Sequence, residues 1–562
     1  MRRTMNVALV SLGLFLGTTG CNSFLTGDKL SSNPNLPTSA SIQQQFVGVQ
    51  AGQFAFQEGT VAMMMCEWVQ ACNGTNSRFV QQAAQYVFGE ASNIGANGGD
   101  WVLVYGAGGL VDIRGVEQKA IAKGDSVWLG IAKIWEALTI GTASDMWGDI
   151  PYSEAGVNPQ PKLDNRFDIL NAIQTLLDQA IAELNSGAGP GPGRADLVLG
   201  GDAAKWVRVA HTLKARYYMH TAESLGTPAY QNAITQALQG INDASGGSDF
   251  ASFHTTANSE RNMWAQFQTS SGFGPDLQAG KAMVDVMNAR RDPRLAAYFC
   301  PNVTAAWQPS KAYTARVVSG TDTTTGSLIV DSNGFLEEAM ATTGDSKSGS
   351  SAPSWSTTVG GTTTDNHVTW QNMGPPYAGD DYNRPSRFPT SKFNCGLPAR
   401  FKDDARIPYV SYAENELILA EAYQQTGNDA LALQHLNNER AFANAAYPHS
   451  QPLQDLPTLV GITTATGLLD SIMVEKWIAL FQNIETINDY RRGGVTIATH
   501  PCIPRLTPSP NAAGFRNVPG RLFYPVNERN TNPNIPDPTT QLATHGFRNA
   551  GDVHACTTDA GP

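Results

Sequence analysis

"YAENELILAEAYQQTGNDALALQHLNNERAFA", residues 412–443, reads as two amphipathic helices joined by a tight turn. The interruption "TGND" offers Gly427 as a C-cap and Asn428 or Asp429 as an N-cap, so the chain reverses within a few residues. This is a tetratricopeptide-like unit, although no strict repeat period is legible along the chain. The helical period recurs widely. "WLGIAKIWEAL" (128–138) places Trp128, Ile131, Ile134, Trp135 and Leu138 on one face, and "KWVRVAHTLKARYYM" (205–219) does the same with Trp206, Ala210, Leu213 and Tyr217. Further helices are expected over 167–184, 230–241, 274–291 and 468–492, and Trp68 and Trp101, in apolar helical settings, are expected in the core. The fold class is mostly α: a scaffold of helix-turn-helix pairs with minor β hairpins.

Between residues 301 and 400 the helical period disappears. Runs such as "SGTDTTTGS" (319–327) and "GDSKSGSSAPSWSTTVGGTTT" (344–364) read as a loop-rich, irregular insertion, broken by a short hairpin at "SLIVDSNGFLEEA" (327–339). Long irregular segments of this kind carry function more often than the elements they connect.

The N-terminus reads as an export signal. Arg2 and Arg3 precede the apolar run "VALVSLGLFLG" (7–17), which is short for a membrane span, and "TTGC" (18–21) follows at once. Gly20 before Cys21 is the arrangement of a bacterial lipoprotein signal, with Thr18 in place of the usual Leu. The expectation is removal of residues 1–20, lipidation of Cys21, a flexible tether over 21–40 rich in Ser, Asn and Pro, and a single folded domain over 41–562. The bland alternative is ordinary secretion.

With 38 Lys and Arg against 49 Asp and Glu, the formal net charge is −11, which disfavours a nucleic-acid partner. Beyond Cys21 there are Cys66, Cys72, Cys300, Cys395, Cys502 and Cys556, whose spacings lack the paired pattern of a zinc site. In an exported chain they are expected as disulfides, with Cys66 and Cys72 able to close a short loop and the other pairings open.

"DMWGDIPYSEA" (145–155) follows the 128–138 stripe. Gly148 is expected to end that helix in a left-handed conformation, and Pro151 to prevent its resumption. Asp145 and Asp149 are expected to bond backbone amides over a packed Trp147 and Tyr152, a structural rather than catalytic arrangement. Arg491 and Arg492 in "NDYRR" suit the last turn of a helix. Arg521, Glu528 and Arg529 are expected to pair across a C-terminal turn.

Six stretches now coincide with one family. "GDIPYSEA" (148–155), Trp206 to Arg216 ending in "LKAR", "DPRLAAYF" (292–299), "YAENELILAEAY" (412–423), "EKWIALFQNIETINDYRR" (475–492) and "GRLFYPVNERNTNPN" (520–534) resemble, in order, the signatures of SusD/RagB-type outer-membrane lipoproteins. The resemblance implies a SusD-like scaffold of tetratricopeptide-like helix pairs with a loop-built ligand face. It also implies a lipid-anchored position at the outer-membrane surface. There the protein would bind oligosaccharide or peptide and act as lid to a SusC-like TonB-dependent β-barrel.

Sugar recognition needs aromatic faces with amides, carboxylates or Arg at their edge. Two stretches supply these groups: "CNGTNSRF" (72–79), with Asn73, Asn76 and Arg78, and "TWQNMGPPYAGDDYNRPSR" (369–387), with Trp370, Gln371, Asn372, Tyr377, Asp381 and Arg384. This selection is chemical; no family motif carries it. The alternative is a surface glycan hydrolase using Asp380/Asp381 or Asp403/Asp404, but adjacent acids usually point apart. "GAGG" (106–109) and "GAGPGPG" (187–193) lack the surroundings of a nucleotide loop, and HExxH is absent. No cofactor is expected; "DDYN" (380–383) leaves a structural calcium open without the full EF-hand pattern.

Overall fold

The computed structural model describes residues 40–74, 89–92, 99–269, 277–299, 399–449, 453–460, 465–492, 519–546 and 549, together with the backbone of five strands between 313 and 368. Helices α1 (Ile42–Glu58) and α2 (Thr60–Trp68) lead into strand β1 (Cys72–Gly74), and α3 (Leu110–Lys123) into α4 (Ser126–Trp147), α5 (Arg166–Ser186), α6 (Ala203–Met219) and α7 (Thr227–Ala237). Strands β2 (Phe250–Ala251) and β3 (Leu277–Ala279) precede α8 (Lys281–Arg290). After the region of β4 to β8 come β9 (Pro408–Val410), α9 (Tyr412–Gln425), α10 (Asp429–Ala446), α11 (Ala465–Ala479) and α12 (Glu485–Arg491).

Neighbouring helices pack in series: α3 on α4, α4 on α5, α5 on α6, α6 on α7, α7 on α9, and α9 on both α10 and α11. This is the stacking of a helical-repeat scaffold, in which each pair buries its apolar face on the next. The expected turn forms, with Gly427 at φ 82° and the Asn428 side chain accepting from the Leu431 amide at the start of α10. Every residue of α4 except Lys133 is buried, because its apolar residues run all round the helix rather than along one stripe. Trp68, Trp135, Trp147, Trp206, Trp264 and Trp477 are fully enclosed, and Trp101 is buried with them.

The "GAGG" stretch is a close crossing of backbones. Gly108 has φ 94°, and a Cβ on it would lie 2.7 Å from the Gly48 carbonyl oxygen of α1. Gly148 ends α4 at φ 86° and ψ −121°, so the positive φ is as expected but the conformation is not the left-handed helical one.

Three expected elements differ. The helix expected over 274–291 starts only at Lys281, because Leu277–Ala279 pairs antiparallel with β1 (Cys72↔Ala279, Gly74↔Leu277). The helix expected over 468–492 breaks after Ala479: Gln482 takes φ 71°, and Asn483 accepts from the Glu485 amide while donating to the Pro408 and Tyr409 carbonyls. The irregular insertion contains a five-stranded antiparallel sheet, ordered β6-β5-β4-β7-β8, from Tyr313–Ser319, Asp322–Val330, Leu336–Met340, Ser354–Val359 and Thr362–Val368 for β4 to β8. The expected hairpin is its β5–β6 edge (Ser327↔Met340). The Thr runs that read as loop are β-branched and suit a pleated surface.

Cys66 and Cys72 form a disulfide, with Cα atoms 5.3 Å apart, that ties the end of α2 to β1. Cys21, Cys300, Cys395, Cys502 and Cys556 lie outside the described residues. Replacing both Cys66 and Cys72 with Ser is expected to cost about 2 kcal/mol for so short a loop. Calorimetric unfolding checks this: an unchanged midpoint would mean that β1 is held by its pairing with β3 alone.

Candidate functional site

The acids of residues 145–155 divide in role. Asp149 Oδ1 accepts from the Arg166 backbone amide at 2.8 Å, as expected of a turn acid. Asp145 does not take a backbone amide; its partners are side chains. Its carboxylate is 2% exposed and meets Arg166 Nη2 at 3.0 Å and His220 Nδ1 at 3.2 Å, while Asn488 Nδ2 donates to it at 3.1 Å. On its other side, His220 Nε2 lies 2.7 Å from Glu485 Oε1, Glu485 lies 3.8 Å from Arg216 Nε, and Arg216 closes on Glu414 at 2.5 Å. Burial alone pulls the His220 pKa down, but the carboxylates on both sides push it up to about 9, so the ring is an imidazolium at neutral pH. Burial also opposes ionisation of Asp145, and His220, Arg166 and Arg491 outweigh it, holding the carboxyl well below the usual range.

Asp145, His220 and Glu485 offer three ligand atoms within 4.8 Å of one another. They do not suit a metal ion. Both imidazole nitrogens already face carboxylates, and guanidinium groups of Arg166 and Arg216 stand within 4 Å of the two acids, so an added cation would meet two fixed positive charges. Side-chain exposures of 1–8% also withdraw the cluster from any substrate.

The signature stretches interlock through two more such clusters. Arg294 binds Asp292 through Nε and Nη2, Glu439 at 3.2 Å, and Glu475; Glu475 also meets Arg290 at 2.5 Å and Arg440 at 2.9 Å. Lys476 bridges Glu421 and Asp489 at 2.7 Å each, and Arg492 closes the same pair of acids. The expectation that Arg491 and Arg492 serve a helix end is therefore incomplete, because both are buried and Arg492 belongs to the second of these clusters. Arg491 also donates to the Asp145 and Gly520 carbonyls. Arg521, Glu528 and Arg529 do not pair with one another as expected. Arg529 meets Glu90 at 2.5 Å, and Arg521 donates to the Gln541 and Trp147 carbonyls. Trp147 Nε1 donates to the Phe523 carbonyl and Tyr524 Oη to that of Asp149, so the C-terminal stretch clasps the 145–155 turn.

Of the side chains selected for ligand contact, Asn76, Arg78, Trp370, Gln371, Asn372, Tyr377, Asp381 and Arg384 lie outside the described residues. Asn73 lies within β1 opposite Gln278 and is 6% exposed; pairing with β3 encloses it, so it is not presented to solvent. Asp403 sits 3.7 Å from Arg261, an ion-pair contact at the surface.

The structure does bring together the ends of the segments that carry the selected residues. Segment 75–88 leaves from Gly74, which pairs with Leu277, and the strand is reached from α2, where the Val69 carbonyl accepts from Trp477 Nε1 at 3.0 Å. Four residues beyond Trp477, the Phe481 ring lies 5.4 Å from that of Phe299 and 6.2 Å from that of Phe401, the two residues that bracket segment 300–398. Trp264 packs on both Phe401 and Phe481, at 5.8 and 6.4 Å. An aromatic hub just past the end of α11 thus fixes where segment 300–398 departs and returns, while the approach to segment 75–88 is tied through Val69 to Trp477, one turn earlier. Sequence reading missed this hub because Phe299, Phe401 and Phe481 are far apart in the chain and individually resemble ordinary core residues.

A family model described as "Starch-binding associating with outer membrane", of the SusD-like group, matches residues 34–334. Solved structures with the same fold include a chitin-binding protein, 19% identical with TM-score 0.63, over 92% of this chain and 100% of that one. A chitin-binding SusD homolog from Flavobacterium johnsoniae is 16% identical with TM-score 0.59, over 92% and 99%. A SusD/RagB family protein from Bacteroides thetaiotaomicron is 18% identical with TM-score 0.57, over 91% and 97%. Comparison with curated proteins finds no match. Among the described residues no helix is long and apolar enough to cross a membrane.

Proposed function

Since the chain belongs to the SusD-like family of starch-binding, outer-membrane-associated proteins, we propose that it captures oligosaccharide at the cell surface and passes it, as a lid, to a SusC-like TonB-dependent β-barrel. Lipidation at Cys21 would anchor it. The observation that best supports a composite ligand face is that residues flanking both segments are tied to α11 and the turn after it, Val69 through Trp477 and Phe299 and Phe401 through Phe481, since groups from distant parts of the chain must meet to grip one ligand. Trp370 and Tyr377 would stack on the apolar faces of the sugar, with Asn76, Arg78, Gln371, Asn372, Asp381 and Arg384 at its hydroxyls.

Binding without turnover is the reading favoured here, because the buried carboxylate clusters are inaccessible to substrate and saturated by their own counter-charges. Calorimetry with starch-type and chitin-type oligosaccharides and a peptide panel, with product analysis of each mixture, tests it. Saturable binding of intact ligand is expected, and Trp370→Ala or Tyr377→Ala should weaken it at least about tenfold. Release of product in proportion to protein would replace this reading with a surface hydrolase. Co-purification of a large β-barrel after mild solubilisation would support the lid role, and its repeated absence from native membranes would count against it.

A further inference from the structure

A cavity of about 310 Å³ lies where β9, α9 and α10 approach the turn before β2. Arg400, Arg406, Asp249, Glu439, Phe442 and Tyr447 are among the residues that line it.

Its charges are unbalanced. Arg400 is 9% exposed; its Nη2 donates to Tyr447 Oη at 2.8 Å, its guanidinium sits 5.7 Å from the centre of the Tyr298 ring, and its Nη1 has no hydrogen-bond partner. Arg406 donates only to carbonyls, those of Ser252, Val198 and Ala251. Neither guanidinium has a carboxylate within ion-pairing distance among the described residues, in contrast to Arg216, Arg294 and Arg492, each clamped by acids. The acids that face the cavity do not restore the balance. Burial pushes Asp249 up to about 7 and raises Glu439 well above the carboxylate range, and Glu439 Oε2 is itself buried without a partner. Glu439 is already paired with Arg294 Nη1 at 3.2 Å, so it does not neutralise Arg400 or Arg406.

A buried guanidinium with an unfilled N–H edge is costly unless an acceptor, preferably anionic and planar, completes it. We propose that this cavity is a binding site for a small organic carboxylate, held by the positive field of Arg400 and Arg406, with the body of the ligand against Phe442 and Tyr447. Among the described residues its lining comes from the helical scaffold, and the proposal does not depend on the reading of a glycan face. The same carboxylate chemistry is offered by a uronic acid and by the end of a peptide.

Calorimetry on the whole mature protein at neutral pH tests it with sodium glucuronate, N-acetylalanine, glucose and sodium sulfate as separate probes. Saturable binding of glucuronate or N-acetylalanine, with no response to glucose and a weaker one to sulfate, is expected; whichever carboxylate binds tighter identifies the source. Arg400→Gln should weaken that binding at least about tenfold, and Arg400→Lys should restore only part of it because the planar fork is lost. A wild-type protein that binds neither carboxylate at tens of millimolar, or binds sulfate equally well, overturns the proposal, as does an Arg400→Gln variant of native circular dichroism with unchanged affinity. If Arg400→Gln fails to fold, Arg406→Gln and competition between the probes on the wild type decide the same question. Trp370→Ala, which should impair only oligosaccharide capture, separates the two sites.

Discussion

Arg294→Ala is expected to lower stability by about 3–5 kcal/mol, the range for removing one partner of a buried ion pair. Arg294 is wholly enclosed and holds Asp292, Glu439 and Glu475, from three separate regions of the chain. Among the described residues, its loss leaves the Asp292 carboxylate with only the longer 3.7 Å ion-pair contact to Arg290, which also holds Glu475. The destabilisation measures uncompensated buried charge, not a net gain from pairing, since well-packed apolar substitutes for a whole buried cluster are often neutral. Arg294→Lys should recover only a minor part, because a lysine ammonium cannot reproduce the planar fork that reaches Asp292 through two nitrogens. Denaturant unfolding at pH 7 checks both variants. A midpoint for Arg294→Ala within error of the wild type would show that this cluster does not hold α8, α10 and α11 together.

Asp145→Asn is the second large effect, again about 3–5 kcal/mol, because Arg166 and His220 both lose an ion-pair carboxylate. It should also change how stability depends on pH. His220 titrates near 9 in the folded protein against roughly 6.5 when unfolded. Its contribution, on the order of 3 kcal/mol, is therefore fully present below about pH 6.5 and is lost as pH rises through about 9. Asp145 has the opposite sense: its depressed pKa contributes stability above its unfolded value near ~4, which is lost as pH falls below it. In Asp145→Asn, His220 keeps only Glu485, so the alkaline loss should be smaller and begin at lower pH. His220→Gln should abolish it. Unfolding midpoints measured from pH 6 to 10 decide the matter, and an unchanged slope in both variants would place the alkaline sensitivity elsewhere.

Much of the fold was legible because amphipathic periodicity and caps act locally. The 412–443 pair forms with Gly427 and Asn428 in their expected roles, and Trp68, Trp101, Trp135 and Trp206 are core residues as their apolar settings imply. The expected disulfide between Cys66 and Cys72 also forms. Reading was weaker where partners are distant. Leu277–Ala279 looked helical beside α8, yet its backbone is taken by β1, some two hundred residues earlier in the chain. The Thr-rich runs looked like loop because alternation is faint in polar strands, yet they form a sheet.

The candidate site divides in the same way. Aromatic and amide-rich stretches can be selected from sequence as chemistry suited to sugars, but Asn73, selected with them, is enclosed by a strand pairing that sequence does not reveal. The acids and arginines of the signature stretches read as turn and helix-end residues. Their actual partners, such as Asp145 with His220 and Glu485, or Arg294 with Glu439 and Glu475, come from elements brought together only by folding.

Sequence alone determined the helical scaffold, its turns, the acidic balance and the family resemblance, because each rests on neighbouring residues or on ordered local motifs. Tertiary structure decided which charges are buried and paired, where the segments bearing the proposed ligand face depart, and that Arg400 lines a cavity without a carboxylate partner. The physical reason is that burial and ion pairing depend on distances across the fold, and a charged side chain looks the same in sequence whether it meets water or a counter-ion.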